Sequence, residues 1–575
     1  MTPDTSDEDG KLPVAVRPAC YPQLLEYRER KDMTLKPCPL IKPSVSLRYY
    51  QVTGILHLLK MTRMVLGDGC GLGKSLCLIG AYAYMLAQDP KLKLIIVTPK
   101  SATSQWVDEF AKFTDGIDVA RLENNGVESR EQQYQDFFMN LDRNVLVMHY
   151  HFFREDYRLY SPYMDGKKVI LVLDEASAVK STTSQVHKVA VEVSAKCSRV
   201  YGLTATLLKN NLLEGYAIYK VIYAPIYGTL TGFKKKYCIE KKQSIGKGRQ
   251  IPVVVGYKNV AHFRDMMDPY FIGRNKYDVS TELPALLSKE IEVGMSDAQW
   301  ALYGDALGDF LTVVREGEEQ EKEMTALTRL NYFQQIVNSP EVLGREGKSE
   351  KEEELYRLLS DDLEGEKVIV YSGSKVMVNI IEKKLKTQGY EVARISGDED
   401  EYQRTINKLM FQEDKEALQR FLVQYCSDST EPKLKAKVLK SCKAQLAKLK
   451  EGKYPTIILL TPAGTEALNL QKASTFIFYD LPYEPGNYDQ LIGRMIRIGS
   501  EHAQVLVIHL KCKGTIDGYK LQIIKKKSKV IRQVLGEQTK GALEFDTTSD
   551  LKSLRDQMNA DAIAYRKNGR KAIQS

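Results

Sequence analysis

The residues best suited to chemistry lie in the first third of the chain. Gly69, Gly71 and Gly73 recur at every second position and run straight into Lys74 and Ser75. A glycine-rich turn opening a helix lets backbone N–H groups surround phosphate oxygens. Lys74 then reaches the β- and γ-phosphates, and the Ser75 hydroxyl holds Mg2+. The spacing departs from the strict G-x-x-x-x-G-K-[S/T] pattern, because Asp68 stands where the first glycine belongs. About one hundred residues later an apolar run from Val169 to Leu173 ends in Asp174 and Glu175. Asp174 can orient Mg2+ through its water shell, and Glu175 can position and deprotonate an attacking water. A phosphate loop followed by an acidic pair at a strand end is the requirement of a RecA-like ATPase lobe.

These residues need strand ends and helix starts to hold them. Apolar runs at 94–98, 145–149, 169–174 and 200–204 read as buried strands, and helical patterns such as 75–88 and 105–113 alternate with them. The alternation over 45–225 predicts a doubly wound α/β domain with a parallel sheet. A second such pattern begins at 367–371 and continues through 392–396, 456–460, 475–479 and 505–510. The fold class is therefore α/β, with two domains whose parallel sheets are flanked by helices. The expected organisation is an irregular extension over 1–44, interrupted by Pro13, Pro18, Pro22, Pro37, Pro39 and Pro43, then the first lobe over 45–225. A mainly helical connecting region over 226–355, with a Lys/Gly-rich stretch at 234–249, leads to the second lobe over 356–535 and a charged tail. A segment at 412–453 carries nine lysines and looks helical. It has two readings, a solvated surface helix pair or a phosphate-contacting insertion.

Composition narrows the field. The 575 residues are 43% hydrophobic and 27% charged, which excludes wholesale disorder. A net charge of +9 allows an acidic partner such as nucleic acid without demanding one. No apolar run approaches the roughly 18–20 residues that span a bilayer, and the acidic start lacks a secretory pattern. The nine cysteines are irregularly spaced and include no C-x-x-C pair, and the seven histidines show no metal spacing. These features point to a reducing, intracellular location, away from membranes.

In its motif order the sequence resembles the SWI/SNF family of superfamily 2 helicase-like ATPases, from about residue 45 to about residue 535. Residues 47–51, ending in Gln51, look like an adenine-recognising Gln motif, and 68–75 look like the family's D-E-M-G-L-G-K-T loop. Thr98, Pro99, Lys100 and Ser101, followed by Gln105, Trp106, Glu109 and Phe110, resemble motif Ia and its helix. Asp174, Glu175, Ala176 and Ser177 correspond to D-E-A-H, and 203–211 resemble L-T-G-T-P-L-Q-N-N. Residues 271–279 are similar to F-M-L-R-R-T-K-x-D-V, and 334–340 to R-x-I-C-N-H-P. In the second lobe, 461–470 look like motif V and 490–499, with Arg494 and Arg497, like motif VI. Departures are Ser177 for His, Leu207 for the motif III proline, and Ile496 and Ser500 in motif VI.

The resemblance implies that both domains are RecA-like lobes and that ATP and Mg2+ are the cofactors. It assigns Gln51, Asp68, Gly71, Gly73, Lys74, Ser75 and Gln490 to the nucleotide, and Ser75 and Asp174 to the metal. Lys74, Asp174, Glu175, Arg494 and Arg497 would be catalytic, the arginines neutralising charge on the transferring phosphoryl group. Gln490 has a plainer reading as a polar residue at a helix start. Lys100, Ser101, Lys209, Asn210, Thr461 and Asn469 would touch nucleic-acid phosphates, although Thr98 and Thr461 could simply end strands and Asn469 could cap a turn. The expected partner is double-stranded or branched DNA, and the expected activity is that of a DNA-dependent ATPase acting as a monomer. It would translocate on duplex DNA and serve fork remodelling, branch migration, recombination or repair, like the lean annealing-helicase, viral and bacteriophage members. Alternatives are a transcription-termination or restriction-type motor subunit, and an RNA helicase.

Overall fold

The structure is a computed structural model that describes residues 17–123, 126–205, 207–208, 211–244, 250–274, 279, 284–316, 330–428, 439–440, 443–448, 451–462, 470–482, 485–493 and 502–522. The chain divides into two compact units. Among the described residues, the first holds 17–241 and 253–281, and the second holds 242–252 and 282–522.

The first unit is built on a seven-stranded sheet. Its strands are β1 (Arg63–Leu66), β2 (Lys93–Thr98), β3 (Val119–Arg121), β4 (Val145–His149), β5 (Val169–Asp174), β6 (Arg199–Leu203) and, after a two-stranded sheet of β7 (Cys238–Ser244) and β8 (Gln250–Tyr257), β9 (Phe271–Ile272). The spatial order is β3-β4-β2-β5-β6-β1-β9, and every pairing in it is parallel. Helices cover both faces of such a sheet, so its strands are apolar along their length. Val169, Ile170, Leu171, Val172 and Leu173 of β5 are all wholly buried. Four helices matter to the site: α1 (Tyr21–Glu29), α2 (Tyr49–Lys60), α3 (Lys74–Gln88) and α4 (Thr103–Phe113).

The second unit carries a six-stranded, all-parallel sheet in the order β10-β15-β14-β11-β13-β12. Its strands are β10 (Ala285–Val293), β11 (Val368–Tyr371), β12 (Val392–Ile395), β13 (Ile457–Leu460), β14 (Thr475–Phe478) and β15 (Gln504–Cys512). Apolar clusters lie on both faces, one around Ile369, Ile458 and Phe476, the other around Val370, Leu459 and Ile477. The alternation of these numbers along each strand is the two-residue period of the pleat.

Two expectations are corrected. The N-terminal extension is not wholly irregular: α1 forms with Pro22 in its first turn, where a missing N–H costs nothing. Its Tyr21, Leu24 and Tyr27 are buried, and Arg28 donates to Asp268 Oδ1 at 2.9 Å. The connecting region is not simply helical, since it supplies β9 to the first sheet and β10 to the second. The Lys/Gly-rich stretch contains the end of helix Leu230–Tyr237 and strand β7. Within the Lys-rich segment, Lys415–Asp428 is helical, and Leu446 and Tyr454 pack on a small apolar cluster around Ile406 and Met410. No helix among the described residues is long and apolar enough to cross a membrane.

Candidate ATP site

β1 delivers the chain to the glycine loop at the carboxyl edge of the first sheet, and α3 begins at Lys74. Gly71 (φ +88°) and Gly73 (φ +83°) make the turn in the left-handed region, which favours glycine. At Gly73 a Cβ would also come within 2.7 Å of Gln51 Nε2. That glutamine is buried on α2. Its Nε2 donates to Leu72 O at 3.2 Å, and its Oε1 accepts from Arg48 N at 3.0 Å. Gln51 therefore ties the start of α2 to the loop. Lys74 Nζ donates to Asp68 O at 2.8 Å, which holds the ammonium against the loop backbone. Ser75 lies half-buried in the first turn of α3, where orphan N–H groups and the helix dipole favour an anion.

Asp68 was expected to meet the nucleotide, and its side chain is placed otherwise. It is wholly buried, and Arg274 takes both carboxylate oxygens, with Nε–Oδ1 at 2.8 Å and Nη2–Oδ2 at 2.5 Å. The same guanidinium donates to Tyr50 O and lies over the Tyr50 ring. Burial opposes the Arg274 charge, and Asp68 outweighs that penalty and raises its pKa. Gly67 N donates to Ile272 O at 2.6 Å and Gly69 N to Arg274 O at 3.0 Å, so the chain leaving β9 runs on along the loop. A carboxylate at this position can shape the loop from within, while the Asp68 carbonyl holds Lys74.

The acidic pair sits in the same row of the sheet. Leu66 pairs with Leu203, and Leu203 with Asp174, so the loop and the carboxylate are two strand spacings apart, about 10 Å. Asp174 Oδ2 accepts from Thr98 Oγ1 and from Trp106 Nε1, both at 2.8 Å. Its Oδ1 accepts from Glu175 N at 3.0 Å, and its carbonyl from the Tyr150 hydroxyl at 2.7 Å. Burial, then the charges of Asp174 and Glu175, push the Tyr150 phenol far up. Glu175 has φ +50°, an uncommon value for a residue with a side chain. Strain of this kind collects at functional sites. Thr98, Trp106, Tyr150 and Arg274 were not among the expected site residues. Trp106 offers one sequence signal, as one of only two tryptophans, in the helix that follows Lys100.

The family model described as SNF2-related domain matches residues 50–342, a little over half the chain. The chain belongs to the SNF2-related family. A second model, the helicase conserved C-terminal domain, matches residues 350–499. The chain is 23% identical to a SWI/SNF-related matrix-associated actin-dependent regulator of chromatin (subfamily A, DEAD/H box 1 homolog) of Caenorhabditis elegans, covering 89% of this chain and 54% of that protein. It is 23% identical to a DNA excision repair protein ERCC-6-like of Danio rerio (85% and 36%) and 24% identical to an ATP-dependent helicase of Mycoplasma genitalium (86% and 42%). It thus spans about half or less of the length of these curated relatives. Among solved structures it resembles the Sulfolobus solfataricus SWI2/SNF2 ATPase core in complex with dsDNA, at 20% identity and a TM-score of 0.38, covering 92% of this chain and 99% of that one.

In this SNF2-related chain the remaining expected residues fall into three groups. Lys100 is exposed and Ser101 half-buried on the turn Lys100–Ala102 that leads into α4. Thr461 is buried at the end of β13, its N–H bonded to Ile395 O at 3.3 Å, which removes it from an exposed phosphate surface. Lys209, Asn210, Asn469, Arg494 and Arg497 lie outside the described residues, and Gln490 is placed only as part of helix Pro485–Ile492.

The segment 334–340 has a role of its own in the second unit. Asn338 Nδ2 donates to Asp480 Oδ2 at 2.7 Å, and Gln334 Nε2 to Asp517 Oδ1 at 2.8 Å. Lys351 Nζ reaches Asp517 Oδ2 at 2.6 Å with both side chains buried. Burial pushes the nearby Lys520 amine down to about 8, against the pull of Asp480 and Asp517. The bonds of Asn338 and Gln334 join the segment to residues that follow β14 and β15.

Proposed function

We propose that this chain is an ATP-driven motor, a DNA-dependent ATPase that translocates on double-stranded DNA. The observation that carries the reading is the convergence of Lys74, Ser75, Asp174 and Glu175 at one carboxyl edge of a parallel sheet. Open α/β sheets bind ligands at that edge. The donor set suits ATP with Mg2+: a glycine loop and helix start for phosphates, and a hydroxyl and a carboxylate for a hard cation completed by phosphate oxygens. When bound, Mg2+ neutralises charge on the phosphate oxygens. Lys74 would leave the Asp68 carbonyl for the phosphates. Glu175 would orient a water and take its proton. Arg494 and Arg497 would add positive charge to the equatorial oxygens, and Gln490 would help position the phosphate.

Lys100 and Ser101, with Lys209, Asn210 and Asn469, would hold the DNA backbone through sequence-independent, salt-sensitive contacts. The cellular task we infer is remodelling of forks, junctions or protein–DNA complexes in repair, recombination or replication. The names of the zebrafish and nematode relatives, a DNA excision repair protein and a chromatin regulator, support that class of work.

The test is steady-state ATP hydrolysis without nucleic acid and with duplex DNA, single-stranded DNA, forked DNA and double-stranded RNA, with Glu175→Gln as the control. Stimulation by duplex or forked DNA is expected. Stimulation by RNA alone would replace the reading with an RNA motor.

A further inference from the structure

Trp106 shares one carboxylate oxygen with Thr98, and that oxygen belongs to the proposed metal-binding residue. An ionised carboxylate oxygen has two good acceptor positions. Both positions on Asp174 Oδ2 are taken, by the Thr98 hydroxyl and the Trp106 indole N–H at 2.8 Å each. Oδ1 has accepted only the Glu175 N–H, at 3.0 Å. Oδ2 thus fixes the carboxylate, and Oδ1 is the oxygen that would be left to hold a metal ion or its water. Both donors are buried, Thr98 wholly and Trp106 to 3% exposure.

The donors flank the turn proposed to meet the DNA backbone. Thr98 ends β2, the turn Lys100–Ala102 follows, and Trp106 stands in the first half of α4. The turn is bound to that helix, with Thr103 Oγ1 donating to Lys100 O at 3.0 Å. One helical turn beyond Trp106, Phe110 meets Tyr82 of α3 edge-on at 6.4 Å, so α4 also rests on the helix that the glycine loop opens. A phenylalanine ring would keep an aromatic group at the Trp106 position but bring no donor to it. Only the indole adds a hydrogen bond to Asp174.

We propose that Trp106 is a positioning residue that holds the Asp174 carboxylate for Mg2+, and that α4 thereby links phosphate contact at Lys100 and Ser101 to the ATP site. The proposal rests on the reading of the chain as a DNA-dependent ATPase. Outer partners of metal ligands typically change metal affinity or activity by about 10–100-fold when removed.

The experiment has two arms. In the first, binding of a non-hydrolysable ATP analogue to wild type, Trp106→Phe and Thr98→Val is followed by calorimetry as Mg2+ is titrated. Both variants should need about 10–100-fold more Mg2+ at the midpoint, with unchanged affinity for the analogue in its absence. In the second, Trp300→Phe leaves Trp106 as the sole indole. Duplex DNA alone should shift its emission, Mg2+ with the analogue should shift it too, and Lys100→Ala should abolish only the DNA response.

An unchanged Mg2+ midpoint in a folded Trp106→Phe protein, or an emission blind to DNA that binds, would overturn the proposal. Thr98→Val probes the same oxygen if Trp106→Phe does not fold, and an unchanged midpoint there is equally fatal. A wild-type protein that binds neither the Mg2+-bound analogue nor duplex DNA would sink the ATPase reading itself.

Discussion

At the scale of single residues, the site divides into groups that would touch the nucleotide and groups that hold those in place. Lys74 and Glu175 belong to the first. Lys74→Ala should abolish nucleotide binding, whereas Glu175→Gln should bind ATP and hydrolyse it far more slowly, because an amide cannot take the proton from water. Equilibrium binding and single-turnover hydrolysis separate the two. Gly73 belongs to the second group. Gly73→Ala forces a side chain into φ +83° and onto Gln51 Nε2. The strain is of order 1–3 kcal/mol, and the nucleotide Kd should rise while the overall fold persists by circular dichroism.

At the scale of elements, the loop is held between α2 and the chain just after β9, and Arg274 is the bond between them. Removing one member of a buried ion pair leaves the other charge uncompensated, at a cost of about 3–5 kcal/mol. Arg274→Met should therefore lower the melting temperature of the first unit and weaken ATP binding with it, measured by calorimetry with and without nucleotide. The same packing silences His57 on α2. Burial pushes its imidazole down to about 4, with the charges of Arg28 and Arg274 acting in the same direction and the Thr53 carbonyl and Asp268 opposing. The unfolded chain binds a proton near pH 6.5 that the folded chain refuses until about pH 4. Stability from this group is thus present above pH 6.5 and lost as pH falls to 4, by up to about 3 kcal/mol. Denaturant midpoints measured across that window should fall in wild type and fall less in His57→Phe.

At the scale of the whole molecule, hydrolysis by this chain is proposed to need charge from both matched regions. Arg497→Ala should leave ATP binding intact and lower turnover by ~10³–10⁵, the effect of losing an arginine finger. Full activity in that variant would rule out Arg497 as the arginine finger, and full activity in Arg494→Ala as well would mean that hydrolysis needs neither arginine of the helicase C-terminal region. The edge strand β10 shows why domain limits were hard to read. Its residues 285–290 are all exposed, and Ser288, Lys289, Glu290 and Glu292 interrupt it with polar groups at the margin of a sheet, so the run lacks the continuous apolar character that reveals a central parallel strand.

The sequence alone determined the chemistry and most of the strands. A glycine turn, a lysine and an acidic pair are local requirements of phosphate transfer, and central parallel strands are buried on both faces, so each is written as a short apolar run. Val169–Asp174 is an example in which the strand and its terminal carboxylate are read together. Tertiary structure decided what surrounds those residues. Asp68 looked like a loop residue facing a nucleotide, until Arg274, 206 positions away, took both its oxygens. Trp106 looked like one member of a motif, until its indole met Asp174 68 positions on. Such partners have no fixed spacing, because the pairing of distant strands, not local periodicity, brings them together.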